Sequence, residues 1–209
     1  MKKRDSQTTS TLSRRKFLAQ SAAAGTIAAA YLSFPETTYA ANGDTLKIGL
    51  VGCGGRGTGA AAQALAADKN IVLTAMADAF EDRLKSSLGI LKKQTEDRVQ
   101  VDPEHCFVGF DAYRKVIQSG VDVVLLAAPP GFRPAHLKAC VEAGKHVFCE
   151  KPVAVDGPGV RSVLETVEEA RKKKLTLVSG LCWRYSTAER ATFQQVHDGA
   201  IGKILSLAS

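Results

Sequence analysis

The chain has 209 residues, 28 of them Lys or Arg and 21 Asp or Glu, for a formal net charge of +7. Six of those cations and two of the anions fall in the first 40 positions, so residues 41–209 carry only +3, and no aromatic residues interleave the densest basic run, Arg171 to Lys174; both points exclude a nucleic-acid surface. Five cysteines, at 53, 106, 140, 149 and 182, are odd in number and form no C-x-x-C pair, which excludes a disulfide framework and a zinc site of recognisable spacing, so no metal is expected.

In chain order, Lys2, Lys3 and Arg4, followed by Ser13-Arg14-Arg15-Lys16-Phe17-Leu18, resemble a twin-arginine export signal, with Ala19 where a lysine is often found. Residues 17–32 form a weakly apolar, Ala-rich core, and Thr38-Tyr39-Ala40 supplies the small residues a signal peptidase requires. The expectation is a signal peptide over 1–40, cleavage after Ala40, and a periplasmic chain delivered by the twin-arginine machinery, which moves folded proteins. Gln20, Ser21, Gly25 and Thr26 keep the core short of the roughly 20 strongly apolar residues that span a bilayer, so no stable membrane anchor is expected.

Leu46, Ile48, Leu50 and Val51 mark a strand that runs into Gly52, Gly54 and Gly57; the helix-prone stretch Ala60 to Ala67 follows, then a second strand, Ile71 to Ala77, with Asp78 at its end. This spacing is the outline of a dinucleotide site. Gly52 permits a tight turn, Gly54 lets the backbone approach a pyrophosphate, and Gly57 lets the helix pack on the sheet, with Gly55 and Arg56 completing the phosphate-binding turn. The free amides and dipole of the helix start hold the phosphates. Asp78 is expected to accept from the adenosine ribose hydroxyls; a carboxylate there repels a 2'-phosphate, and neither Ala79 nor Phe80 is an arginine that would hold one, so NAD is expected over NADP.

Further along, Asp111 is expected to cap a helix through Ser119 that Gly120 ends, and Val121 to Ala128 reads as a strand buried on both faces. Pro134 to Ala143 reads as a helix and His146 to Cys149 as a strand. Val160, Val163, Leu164 and Val167 make a helical stripe, with Glu168–Lys172 and Glu169–Lys173 pairs on its opposite face; the helix ends in the basic run before a strand over Leu175 to Leu181. Such alternation implies an α/β fold with a parallel sheet covered on both faces. Cys53 reads as a small packing residue of the turn, and His136, three residues into its helix, as structural.

The segment Ala143-Gly144-Lys145-His146-Val147-Phe148-Cys149-Glu150-Lys151-Pro152 resembles the A-G-K-H-V-x-x-E-K-P signature of the Gfo/Idh/MocA oxidoreductases. With the glycine motif, Asp78 and Ala128-Pro129-Pro130, the resemblance extends over about residues 45 to 209. It implies a Rossmann-type doubly wound parallel sheet over 41–185. It also implies a connecting helix near Glu189 to Val196 and, within 186–209, only the start of a largely absent C-terminal α+β domain whose first strand would begin at Leu205.

The resemblance further implies that Lys151 lies beside the nicotinamide and touches the reacting oxygen, that the peptide bond before Pro152 is cis, and that Glu150 orients the loop or contacts the ribose. Ala128 and Pro129 would line the cofactor crevice, and Arg184 would reach it. Arg133 aligns with a histidine usual in the family. The implied activity is NAD-dependent hydride transfer to or from a sugar or polyol, by an enzyme that is a homo-oligomer when complete. An NAD-dependent glycosidase of the same fold is the alternative, and a non-catalytic nucleotide-binding module is favoured if the gene ends at Ser209.

Overall fold

The computed structural model describes residues 45–206; the expected leader, its cleavage site at Ala40 and positions 207–209 lie outside them. Among the described residues six strands alternate with helices: β1 (Leu46–Val51), α1 (Gly55–Ala67), β2 (Ile71–Asp78), α2 (Glu81–Gln94), β3 (Cys106–Val108), α3 (Ala112–Gln118), β4 (Val123–Leu126), α4 (Arg133–Glu142), β5 (His146–Cys149), α5 (Gly157–Lys172), β6 (Leu177–Ser179) and α6 (Thr187–His197). The strands form one parallel sheet in the order β3-β2-β1-β4-β5-β6. The order reverses between β1 and β4, and in open α/β sheets ligands bind beyond the strand ends at that point.

Strand periodicity sends alternate side chains to opposite layers. Ile48, Leu50 and Leu125 point into one core with Leu65, Met76, Leu84 and Leu91, while Val51, Val124 and Leu126 point into another with Val116, Leu137, Cys140 and Val163. The doubly wound fold expected from the sequence is thus present. Gly49 is small for a packing reason: a Cβ there would lie 2.5 Å from Val116 Cγ1, so the bare backbone is what lets α3 sit close to β1.

Several boundaries differ from expectation. Helix α1 begins at Gly55, ahead of the helix-prone stretch Ala60 to Ala67, because the turn winds straight into it. The strands expected over Val121–Ala128 and Leu175–Leu181 contract to Val123–Leu126 and Leu177–Ser179, where their neighbours offer ladder partners. Helix α2 and strand β3 add to the elements expected from the sequence. Asp111 stands at the N-cap of α3 without a capping bond, its carboxylate 3.7 Å from Arg114, while Gly120 follows the helix with a φ of +82°. On α5, Glu169 pairs with Lys173 (2.8 Å) as expected, but Glu168 meets Arg171 (2.5 Å) instead of Lys172. The stripe on that helix is narrower than four residues, since Val160 and Leu164 remain exposed while Val163 and Val167 pack. Helix α6 forms over the expected region and buries none of its residues. Leu205 and Ser206 form no strand, having no ladder partner among the described residues.

Candidate functional site

Beyond the carboxyl ends of β1, β2, β4 and β5 lies a cavity of about 490 Å³. Its floor is the glycine turn. Gly52 has a φ of +97°, a left-handed conformation that side chains disfavour, and a Cβ there would meet Ala128 N at 2.4 Å. At Gly57 a Cβ would lie 1.8 Å from Gly52 O, so these two glycines are required by the protein's own packing. Gly54 and Gly55 are different. A Cβ at Gly54 would come no closer than 3.8 Å to any atom, at Arg83 Nη1, and one at Gly55 would meet nothing within 4 Å. The first intrahelical bond of α1 runs from Thr58 N to Gly54 O (2.9 Å), so the amides of Gly55, Arg56 and Gly57 face the helix end, where no side chain caps them. This open, amide-lined cradle fits a phosphate group.

Asp78, at the tip of β2, borders the same cavity. Its Oδ2 accepts from Cys53 N (2.6 Å) and its Oδ1 from Phe80 N (3.0 Å), so the carboxylate is held by backbone amides from two loops. Cys53 is buried; its thiol donates to Ala77 O (3.4 Å), and burial, with Asp78 nearby, pushes the thiol pKa far up, which makes it the packing residue expected. Arg83, in the first turn of α2, also borders the cavity, its guanidinium 6.0 Å over the Phe80 ring. Arg83 lies beyond Ala79 and Phe80, the two positions after Asp78 where a phosphate-holding arginine was sought; helix geometry brings this fifth residue back to the pocket. Phe80, Phe110 and Phe132 supply an exposed aromatic rim, the last two with ring centres 5.9 Å apart.

The far wall is the loop after β5. Glu150 is buried, its Oε1 accepting from Arg56 Nε of the glycine turn at 2.8 Å. A Cβ at Gly180 would meet the Glu150 carboxylate at 2.9 Å, so that glycine makes room for it. Lys151 is exposed and lines the cavity, and the Lys151–Pro152 peptide is cis, as the resemblance implies. Behind the loop Arg133 is 2% exposed; its Nη1 donates to Glu150 O and Pro152 O (2.9 Å), and its Nη2 to Ala128 O. His136 is buried in the wall, its ring stacked 4.0 Å from Tyr113. Burial, then Arg133 and Arg114, draw its pKa down to about 4, so the imidazole is neutral, in keeping with a structural role.

Of the residues singled out from the sequence, Gly52, Gly54, Arg56, Asp78, Ala128, Pro129, Glu150 and Lys151 line the one cavity. Gly57 lies beneath it as packing, Gly55 borders the adjoining groove between α1 and α2, and Pro152 serves Arg133 through its carbonyl. Arg184 does not reach the cavity. Because β6 ends at Ser179, the chain turns early and the 3-10 turn Cys182–Tyr185 carries Arg184 into solvent.

A glycine turn at the sheet's switch point, beside a neighbouring strand tipped by a carboxylate, is how a Rossmann domain receives a dinucleotide. The chain belongs to the Gfo/Idh/MocA family of oxidoreductases with an NAD-binding Rossmann fold, whose sequence profile matches residues 46–181. Among curated relatives, the myo-inositol 2-dehydrogenase of Thermotoga maritima is 29% identical over 161 residues, 76% of this chain and 42% of that protein. A glycosyl hydrolase family 109 protein of Streptomyces coelicolor is 27% identical over 161 residues, 77% of this chain and 32% of that protein. Among solved structures, scyllo-inositol dehydrogenase from Lactobacillus casei, with bound NAD(H) and scyllo-inositol, superposes with a TM-score of 0.61 at 26% identity, covering 77% of this chain and 43% of that one. The chain thus spans less than half the length of these relatives.

Proposed function

We propose that the complete protein is an NAD-dependent oxidoreductase that transfers hydride between nicotinamide and a carbon of a sugar or polyol. The observation that carries this reading is the meeting of the glycine turn, Asp78 and Lys151 on a single cavity at the switch point. NAD, when bound, supplies the hydride acceptor. The amides at the start of α1 hold its phosphates, and Asp78, already fixed by two amides, takes the ribose hydroxyls and disfavours a 2'-phosphate. Lys151 offers an ammonium that polarises the reacting oxygen and stabilises negative charge as it develops. Glu150 braces Arg56 beside the phosphate turn. The inositol dehydrogenases among the relatives support a cyclic polyol as the first substrate class to try. The Arg14-Arg15 leader supports work in the periplasm after twin-arginine export, and we take the complete enzyme to be a homo-oligomer.

The test is turnover of the complete protein on a panel of inositols and aldoses with NAD, before and after Lys151→Ala. We expect at least a hundredfold loss of kcat with dinucleotide affinity retained within about threefold, in the range for loss of an electrostatic contact made in the transition state; unchanged turnover would remove Lys151 from the chemistry. The family 109 relative favours a second reading, an NAD-dependent glycosidase in which the sugar is transiently oxidised and the cofactor regenerated. That enzyme would release a free sugar from an aryl glycoside with no net NADH, whereas the dehydrogenase accumulates NADH.

A further inference from the structure

Arg133 occupies an unfavourable place for a cation. It is the first residue of α4, where the helix dipole prefers an anion, and it is buried, which itself pulls its pKa down. What holds it there is three main-chain carbonyls: Ala128 O from the loop after β4, and Glu150 O and Pro152 O from the loop after β5. The last two belong to the residues immediately before and after Lys151. A guanidinium presents five N–H donors in a rigid plane and can hold several acceptors in fixed directions, which neither an imidazole nor an ammonium does.

We propose that Arg133 is a positioning residue for Lys151, clamping the main chain on either side of that lysine to the loop after β4. The proposal rests on the reading of Lys151 given above. Arg56 completes the arrangement from the other side: it holds the Glu150 side chain to the glycine turn while Arg133 holds the Glu150 carbonyl. The lysine's anchor is thereby fixed against both the phosphate-binding turn and the β4 loop. Misplacement of a reacting group by about 1 Å can cost a hundredfold in rate, so a clamp of this kind acts on turnover rather than on cofactor affinity.

The experiment uses the complete protein carrying Arg133→Lys, which keeps charge and length but cannot span three carbonyls on two loops, with Arg133→His as a second variant should the first fold poorly. Four quantities are measured: kcat and KM on the best polyol of the panel, NAD affinity by calorimetry, and amide hydrogen exchange of the peptide covering residues 149–155. We expect kcat to fall about 10- to 100-fold, KM and NAD affinity to stay within about threefold, and the peptide to exchange at least tenfold faster. The double variant Arg133→Lys/Lys151→Ala is expected to be no slower than Lys151→Ala alone, because a residue that acts through the lysine has nothing left to act on.

Unchanged kcat in Arg133→Lys, or an equal further loss in the Lys151→Ala background, overturns the proposal. Unaltered exchange of the 149–155 peptide overturns it as well, whatever the kinetics. Should Lys151→Ala alone leave turnover intact, the functional reading of the lysine fails, and the exchange measurement still decides whether Arg133 fixes the loop.

Discussion

His136 stacks on the Tyr113 ring at an interplanar angle of 26°, with Arg133 and Arg114 as its charged neighbours and no hydrogen-bond partner for its Nδ1 among the described residues. Its folded pKa of about 4 lies below the ordinary value of 6.5, so the fold refuses a proton that the unfolded chain accepts. Stability is therefore full above about pH 6.5 and declines as the pH falls toward 4, by roughly 3 kcal/mol at most from this group. Denaturant unfolding at pH 7 and pH 5 tests this: wild type should lose more stability between the two than His136→Phe does. The same scale shows how unevenly single residues could be read. Asp78 and Lys151 were legible because their motifs fix their place in a strand–turn frame. Arg133 was visible only as a departure from a family histidine, since its role depends on carbonyls that carry no side-chain signature.

The strand–turn–helix unit from β1 to α1 separates glycines that serve the fold from glycines that serve the ligand. Gly57→Ala would drive a methyl into Gly52 O and should cost about 1–3 kcal/mol or more, read as a lower midpoint in urea. Gly54→Ala meets no protein atom closer than 3.8 Å and should leave the midpoint nearly unchanged while weakening NAD binding at least tenfold by calorimetry. Equal destabilisation by both would mean that the cradle is a packing device only. This unit was the most readable part of the chain because strand hydrophobicity, turn glycines and helix-prone alanines agree there. Helix α2 carries its own signals, Leu84, Leu88 and Leu91 at helical spacing between an acidic first turn and a basic last turn. The strand β3 is three residues long and only partly buried, too short for a period-two pattern to register.

Across the whole molecule, the sheet order joins two β-α halves at the seam between β1 and β4, and the cavity straddles that seam. A dinucleotide bridging it binds only the folded state, so NAD at a hundred times its dissociation constant should add about 2.7 kcal/mol of stability. On the proposed reading of Asp78, NADP at the same concentration should add less; a thermal shift series with both nucleotides measures the difference. An equal shift would mean that Arg83 offsets the carboxylate. The α/β class and the cofactor half of the site were legible as a chain of local patterns, whereas the meeting of Arg56, Arg133 and Glu150 was not, since those residues are brought together from separate strand ends. The clamp at Arg133 also bears on how such a chain can diverge. Its partners are peptide carbonyls, which every amino acid carries, so the side chain at 128 can drift without disturbing it. Over generations the arginine constrains the shape of two loops while leaving their spelling free.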